Sequence, residues 1–426
     1  MSSVSEKAEA PLEGGAIHNH GWTVTFAGMG INLALGVLYS WSIISGGMEK
    51  ENWGWSQAQK SLPYSVACLV FCLIMVPAGR MQDRLGPRLV ASIGGLLVGI
   101  GMVIASVVGN SPIGFVIGFG VLAGAGIGFG YASATPPAVK WFPKAKTGLI
   151  AGLVVSGFGL ASVYVAPLAT ALIAGSGLST TVLILGIGFL VVVCGLAQLL
   201  KPPPAGFVPA GEVVAAPSAG PVRKEDFRPS EMLKTWQFWM LWFMYVCGAG
   251  AGLMVISVAK KIGKAAEVGT ILVVTLAIGN GAGRIIAGVL SDKLGRKLTM
   301  AIYFICQAVM VILLSQASPD NVLGSAAAMA IIAALVGANY GANLSLFPSV
   351  TKDYYGSKNF GMNYGLVFTA WGVGGFMLAL LAGKVYDATQ SFTFAYYCSA
   401  VLLVLAAALA FVVKPPHHTE PATTDA

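Results

Sequence analysis

Gly79-Arg80-Met81-Gln82-Asp83-Arg84-Leu85-Gly86-Pro87-Arg88 and Gly288-Val289-Leu290-Ser291-Asp292-Lys293-Leu294-Gly295-Arg296-Lys297 are the stretches that decide the fold. Gly79, Asp83, Leu85 and Gly86 return as Gly288, Asp292, Leu294 and Gly295. Arg84 and Arg88 return as Lys293 and Lys297, so six positions share one offset of 209. Phe142-Pro143 returns as Phe347-Pro348 at an offset of 205. Two echoes at nearly one spacing mean that the chain of 426 residues is duplicated.

Each motif follows an apolar run. The chain is 56% hydrophobic and 10% charged, with a mean hydropathy of +0.78. Soluble domains carry about 25% charged residues, so a soluble enzyme and a disordered chain are both excluded. The glycines show no triplet period, which excludes collagen. A helix needs roughly 20 apolar residues to cross a bilayer. Twelve such runs lie near 21–45, 59–79, 89–109, 113–134, 148–174, 178–200, 236–259, 266–289, 298–317, 321–347, 363–386 and 390–413. The expected fold is therefore an all-α membrane protein of twelve transmembrane helices in two six-helix bundles. The bundles would be residues 21–200 and 235–414, flanked by tails 1–20 and 415–426. The proline-rich stretch 201–234 between them reads as a linker. Met1 to Gly15 is polar and the first apolar run is too long for a signal peptide, so none is expected.

Charge sets the orientation. With both termini in the cytoplasm, 18 Lys and Arg lie inside and six outside: Lys50, Lys60, Lys260, Lys261, Lys264 and Lys384. That bias satisfies the positive-inside rule, and it accounts for the net charge of +8 without nucleic acid. The four histidines lie in the tails and no CxxC pair occurs, so no metal, cofactor or catalytic base is expected. Gly124-x-Gly126-x-Gly128-x-Gly130 superficially resembles a nucleotide loop. It lies within an apolar run with no strand before it, and its small-xxx-small spacing suits close helix packing. The sequence therefore points away from an enzyme.

The remaining basic residue, Arg284, falls inside a span. A charge there costs several kcal/mol unless it faces a partner or a water-filled cavity. The alternative is snorkelling, since Arg284 lies about 9 Å from the span centre. Asn280 one turn away, and the room expected around Gly279, Gly281 and Gly283, favour an anion site. A guanidinium holds a carboxylate with two parallel bonds. Donors and aromatic walls are available at helical spacing: Tyr39, Tyr131, Tyr340 with Asn343, and Phe368 with Trp371.

The repeated motif, the duplication and the linker resemble the major facilitator superfamily over residues 20–414. Gly36-Val37-Leu38-Tyr39-Ser40-Trp41-Ser42 and Trp53-Gly54-Trp55-Ser56 are similar to its oxalate/formate antiporter branch. Trp141-Phe142-Pro143-Lys144-Ala145-Lys146, running into Gly152, is similar to the helix 4–5 signature of the monocarboxylate transporters. The resemblance implies a plasma-membrane carrier (the inner membrane of a bacterium) that works as a monomer by alternating access. It implies that Arg284 binds a substrate carboxylate. It also makes the loop motifs cytoplasmic latches, Asp83 with Arg84 and Arg88, and Asp292 with Lys293 and Lys297, beside Gly79, Gly86, Gly288 and Gly295. Two departures matter. Trp371 stands where the oxalate exchangers carry a lysine, and Asn280 stands where many monocarboxylate transporters carry an aspartate. The expected cargo is thus a lactate- or pyruvate-like monoanion moved with a proton. Oxalate/formate exchange is the alternative within transport, and a non-transporting sensor is the alternative of another class. No carboxylate falls within the twelve runs, so the proton would travel with the substrate or along a tyrosine–water chain.

Overall fold

A computed structural model describes residues 19–143, 146–204, 207, 209, 226–264, 268–318, 320–356 and 359–416. The tails and most of the linker lie outside the described residues. Among the described residues, twelve helices are long and apolar enough to cross a membrane. They are α1 (Gly21–Lys50), α2 (Gln57–Leu85), α3 (Pro87–Val107), α4 (Pro112–Val139), α5 (Thr147–Ser176) and α6 (Leu178–Ala197). After the linker come α7 (Trp236–Ile262), α8 (Gly269–Leu294), α9 (Arg296–Gln316), α10 (Ala326–Tyr355), α11 (Phe360–Thr389) and α12 (Thr393–Val412). No strand occurs among the described residues.

Several helices outrun the apolar stretches that announced them. α2 and α8 continue to Leu85 and Leu294, so Asp83, Arg84, Asp292 and Lys293 are helical rather than in loops. Charged last turns reach water and need no apolar residue, which is why hydropathy stops short of them. A single residue then separates each helix from the next. Gly86 (φ 86°) and Gly295 (φ 83°) adopt a conformation that a side chain would strain, which explains the motif's repeated glycine. α10 likewise runs through Pro348 to Tyr355, whereas Phe142-Pro143 lies beyond the end of α4. Their shared sequence does not make the two Phe-Pro pairs structurally equivalent.

The packing repeats with the sequence. α1 packs on α5, α2 on α4 and α3 on α6. Six helices later, α7 packs on α11, α8 on α10 and α9 on α12. The bundles meet along α2–α11 and α5–α8, two seams that exchange under the same offset. Small residues permit these approaches. A Cβ at Gly94 would lie 2.7 Å from Gly126 O and from the Gly130 nitrogen, so the glycine run in α4 serves packing against α3. Gly279 and Gly283 do not leave open room beside Arg284. A Cβ at either would overlap the backbone of Ala334 or Ala338 in α10, and one at Gly281 would meet Leu160 of α5. Large apolar side chains such as Leu73, Ile100, Val191, Ile285 and Val401 are exposed around the outside, the surface a bilayer would cover.

Two helices depart from α geometry. α1 tightens into a 3-10 turn at Gly36–Ser40, which carries Tyr39. α4 widens into a π-helical segment at Val116–Ala123. Such irregularities concentrate at functional positions.

Candidate functional site

Arg284 does not snorkel. It is 6% exposed, and its side chain crosses the bundle interface to α5. Nη1 donates to Val155 O at 2.9 Å and Nε donates to Asn280 Oδ1 at 3.1 Å. Ser345 of α10 donates to the Arg284 carbonyl at 2.8 Å, which anchors the α8 backbone at this level. Among the described residues, two buried donors of this pair have no partner, Arg284 Nη2 and Asn280 Nδ2. Both sit beside Gly159 of α5, where an added Cβ would be 3.4 Å from Arg284 Cζ, from Nη2 and from Asn280 Cγ. Among the described residues neither the cation's Nη2 nor the amide's Nδ2 meets an acceptor at hydrogen-bond geometry, and Gly159 packs against both side chains. An unpaired buried polar group costs free energy, and a carboxylate has the two oxygens to satisfy both.

The tyrosines close the site from both bundles. Tyr39 and Tyr340 share a hydroxyl–hydroxyl hydrogen bond of 2.5 Å between α1 and α10. Trp371 Nε1 donates to the Tyr340 hydroxyl at 2.8 Å, so Trp371 acts here as a hydrogen-bond donor as well as an apolar wall. Tyr39, Tyr131, Tyr340 and Tyr364 all lie near enough to Arg284 to interact with its charge. Phe368 stacks on Trp371 at 5.2 Å and faces Tyr131 at 6.3 Å.

Asn343 does not join them. Its amide donates to Asn339 O and Tyr340 O in its own helix, and it packs against Gly248 of α7. Residues that the sequence reading missed complete the wall. Phe71 of α2 packs on Trp371 at 5.0 Å, Phe158 of α5 packs on Tyr39 at 4.9 Å, and Gly159 and the Val155 carbonyl meet Arg284. Apolar residues in apolar runs carry no signal of such a role.

The loop motifs lie away from this site. In the second repeat the partner of Asp292 is Arg296, whose Nη1 donates to it at 2.8 Å while Nε donates to Asp353 at 2.9 Å. Arg296, not Lys293 or Lys297, ties α8, α9 and α10 together at the face that bears the termini. Among the described residues no ion pair joins Asp83 to Arg84 or Arg88.

The opposite face is tied across the bundles. Lys60 Nζ and Lys261 Nζ both donate to Glu49 Oε1, at 2.5 and 3.1 Å. Asp387 of α11 accepts from the Gln57 and Ala58 backbone nitrogens at 2.6 and 2.8 Å, capping the N-terminus of α2. Glu49 and Asp387 are carboxylates inside helices that the apolar runs had excluded. Lys60 is buried but neutralised there, so it supplies no second cation near Arg284.

Comparison with known proteins agrees with this architecture. The chain is 29% identical to the oxalate:formate antiporter of Oxalobacter formigenes over 360 residues, which is 84% of this chain and 82% of that protein. It is 24% identical to the apicoplast pyruvate carrier 1 of Toxoplasma gondii over 348 residues, 68% of this chain and 63% of the carrier. The crystal structure of a bacterial homolog to the human lysosomal transporter Spinster, inward-facing and unoccupied, superposes with a TM-score of 0.65. It is 16% identical and covers 94% of this chain and 98% of its own, a likeness of fold alone. The family model of the Major Facilitator Superfamily matches residues 22–261 and 251–426. This multi-pass membrane protein belongs to the Major Facilitator Superfamily.

Proposed function

We propose that the protein carries small monocarboxylates of the lactate and pyruvate type across the membrane with a proton, by alternating access. The observation that carries this reading is the pair of unpartnered buried donors, Arg284 Nη2 and Asn280 Nδ2, beside Gly159. One guanidinium neutralises one carboxylate, and the aromatic walls suit a short apolar remainder. A pyruvate carrier and an oxalate:formate antiporter among its relatives support small carboxylates as the class. Two bundles meeting at a central site suit rocking about that site. The face bearing the termini is proposed to be cytoplasmic, because the basic residues collect there.

Oxalate/formate-type exchange is the second reading, favoured by the antiporter relative. The charge count opposes it, because Trp371 offers an indole N–H rather than a second charge. Proton coupling fits the monoanion, since the pair crosses with no net charge. The test is uptake of labelled lactate into proteoliposomes. An inward proton gradient should accelerate it. Uptake indifferent to that gradient but stimulated by internal oxalate or formate would establish exchange, and no uptake of any carboxylate would favour a sensor.

A further inference from the structure

A lysine-lined cavity opens at the face opposite the termini, between the outer ends of α1, α2, α7 and α8. Its volume is about 460 Å³, and its lining includes Ser42, Glu49, Lys50, Lys260, Lys261 and Lys264. Four lysines therefore face one carboxylate among the described residues. That carboxylate is already engaged, because Glu49 accepts from Lys60 and Lys261. Lys50, Lys260 and Lys264 have no ion-pair partner among the described residues.

Lys50 and Lys264 are exposed, whereas the Lys260 stem is held against the neighbouring bundle. Lys260 of α7 lies across Gly46 of α1, where a Cβ would come 2.7 Å from its Cδ and 3.2 Å from its Nζ. Glycine at 46 gives the ammonium its place at the bundle interface. Ser42, which lines the cavity, is 2% exposed, and its hydroxyl has no hydrogen-bond partner among the described residues. Among the described residues, an unpartnered buried hydroxyl thus lies beside ammonium groups that outnumber their carboxylate, a donor set suited to an oxyanion.

We propose that this cavity is an anion-binding vestibule that collects the carboxylate cargo at the outer mouth before the site at Arg284 receives it. The inference rests on the reading that the cargo is a small carboxylate. Both bundles line the vestibule, so rocking of the bundles alters it while the anion is delivered. A lipid phosphate shares the recognising chemistry. The small carboxylate is favoured because Ser42 lies at the buried end of the cavity, deeper than a headgroup seated at the membrane surface.

The test uses Thr270→Cys, a position on the cavity wall, in full-length protein in phosphatidylcholine nanodiscs, with the parent protein as background for the six native cysteines. Anionic, cationic and neutral methanethiosulfonates report the local potential through their rates. A unit charge about 7 Å away in a water-filled cavity changes an ion's local concentration roughly threefold. Lys260→Gln with Lys264→Gln should therefore lower the anionic-to-cationic rate ratio at least about tenfold, with the neutral rate unchanged. Lactate should slow the anionic reagent, and should do so equally in Arg284→Ala, which isolates the vestibule from the central site. A ratio near one in the native background would overturn the proposal. So would lactate protection that vanishes in Arg284→Ala, or protection seen only when phosphatidylglycerol is added. Transport surviving Arg284→Ala would instead overturn the assignment of the central site and leave the vestibule standing.

Discussion

Replacing Arg284 by lysine keeps a positive charge and removes a fork. The guanidinium divides its donors three ways: Nε to Asn280 Oδ1, Nη1 to Val155 O, and Nη2, beside Gly159, to no acceptor among the described residues. A lysine ammonium is one point. If it reaches the two protein oxygens, the cargo loses its direct donor, and if it turns to the cargo, two buried oxygens lose theirs. Either way a charge-assisted hydrogen bond worth about 1.5–3 kcal/mol disappears. At 1.4 kcal/mol per decade, lactate should bind about 10- to 100-fold more weakly to Arg284→Lys. Arg284→Ala removes the charge too. A unit pair about 4 Å apart at an effective dielectric near 20 interacts by roughly 4 kcal/mol, so the loss should approach three decades. Calorimetric titration of purified protein gives the affinities, initial uptake into proteoliposomes gives the transport, and thermal unfolding checks that each variant is intact. A lysine variant within threefold of wild type, or an alanine variant with normal uptake, would refute the assignment of Arg284 as the carboxylate anchor.

Three further outcomes are expected. Trp371→Lys places a second cation beside the cargo and removes the donor to Tyr340; competition assays should show preference moving from lactate towards oxalate, and wild type binding oxalate as tightly as lactate would break the charge-count reasoning. Gly283→Ala drives a methyl into the Ala338 backbone, and overpacking of this kind costs about 1–3 kcal/mol; the melting temperature should fall, and an unchanged value would show that α8 and α10 are free to separate. Ser218→Cys in the linker should resist membrane-impermeant thiol reagents in intact cells and react in inverted vesicles, and labelling in intact cells would reverse the proposed topology.

Hydropathy and charge are local properties of the chain, and they made the architecture legible. A bilayer-crossing helix satisfies its backbone internally, so twelve apolar runs announce twelve helices, and a repeated ten-residue motif announces the duplication. The same logic exposed Arg284, because a charge in an apolar run stands out one residue at a time, and Asn280 followed at one helical turn. Helix ends were less legible, since solvated turns such as those carrying Asp83 and Asp292 leave no apolar trace.

What only the tertiary structure decided is which groups meet. The Arg284 fork closes on a carbonyl 129 residues away, and the tyrosine bridge joins hydroxyls separated by 301 residues. Nothing in the apolar runs of α2 and α5 marks Phe71, Phe158 or Gly159 as part of the wall. Asn343 has the polarity the site calls for, yet its amide is held within its own helix. The two open donors and the lysine vestibule follow from the same cause: a donor is open or filled according to what the neighbouring helix presents, and that depends on how the two bundles pack.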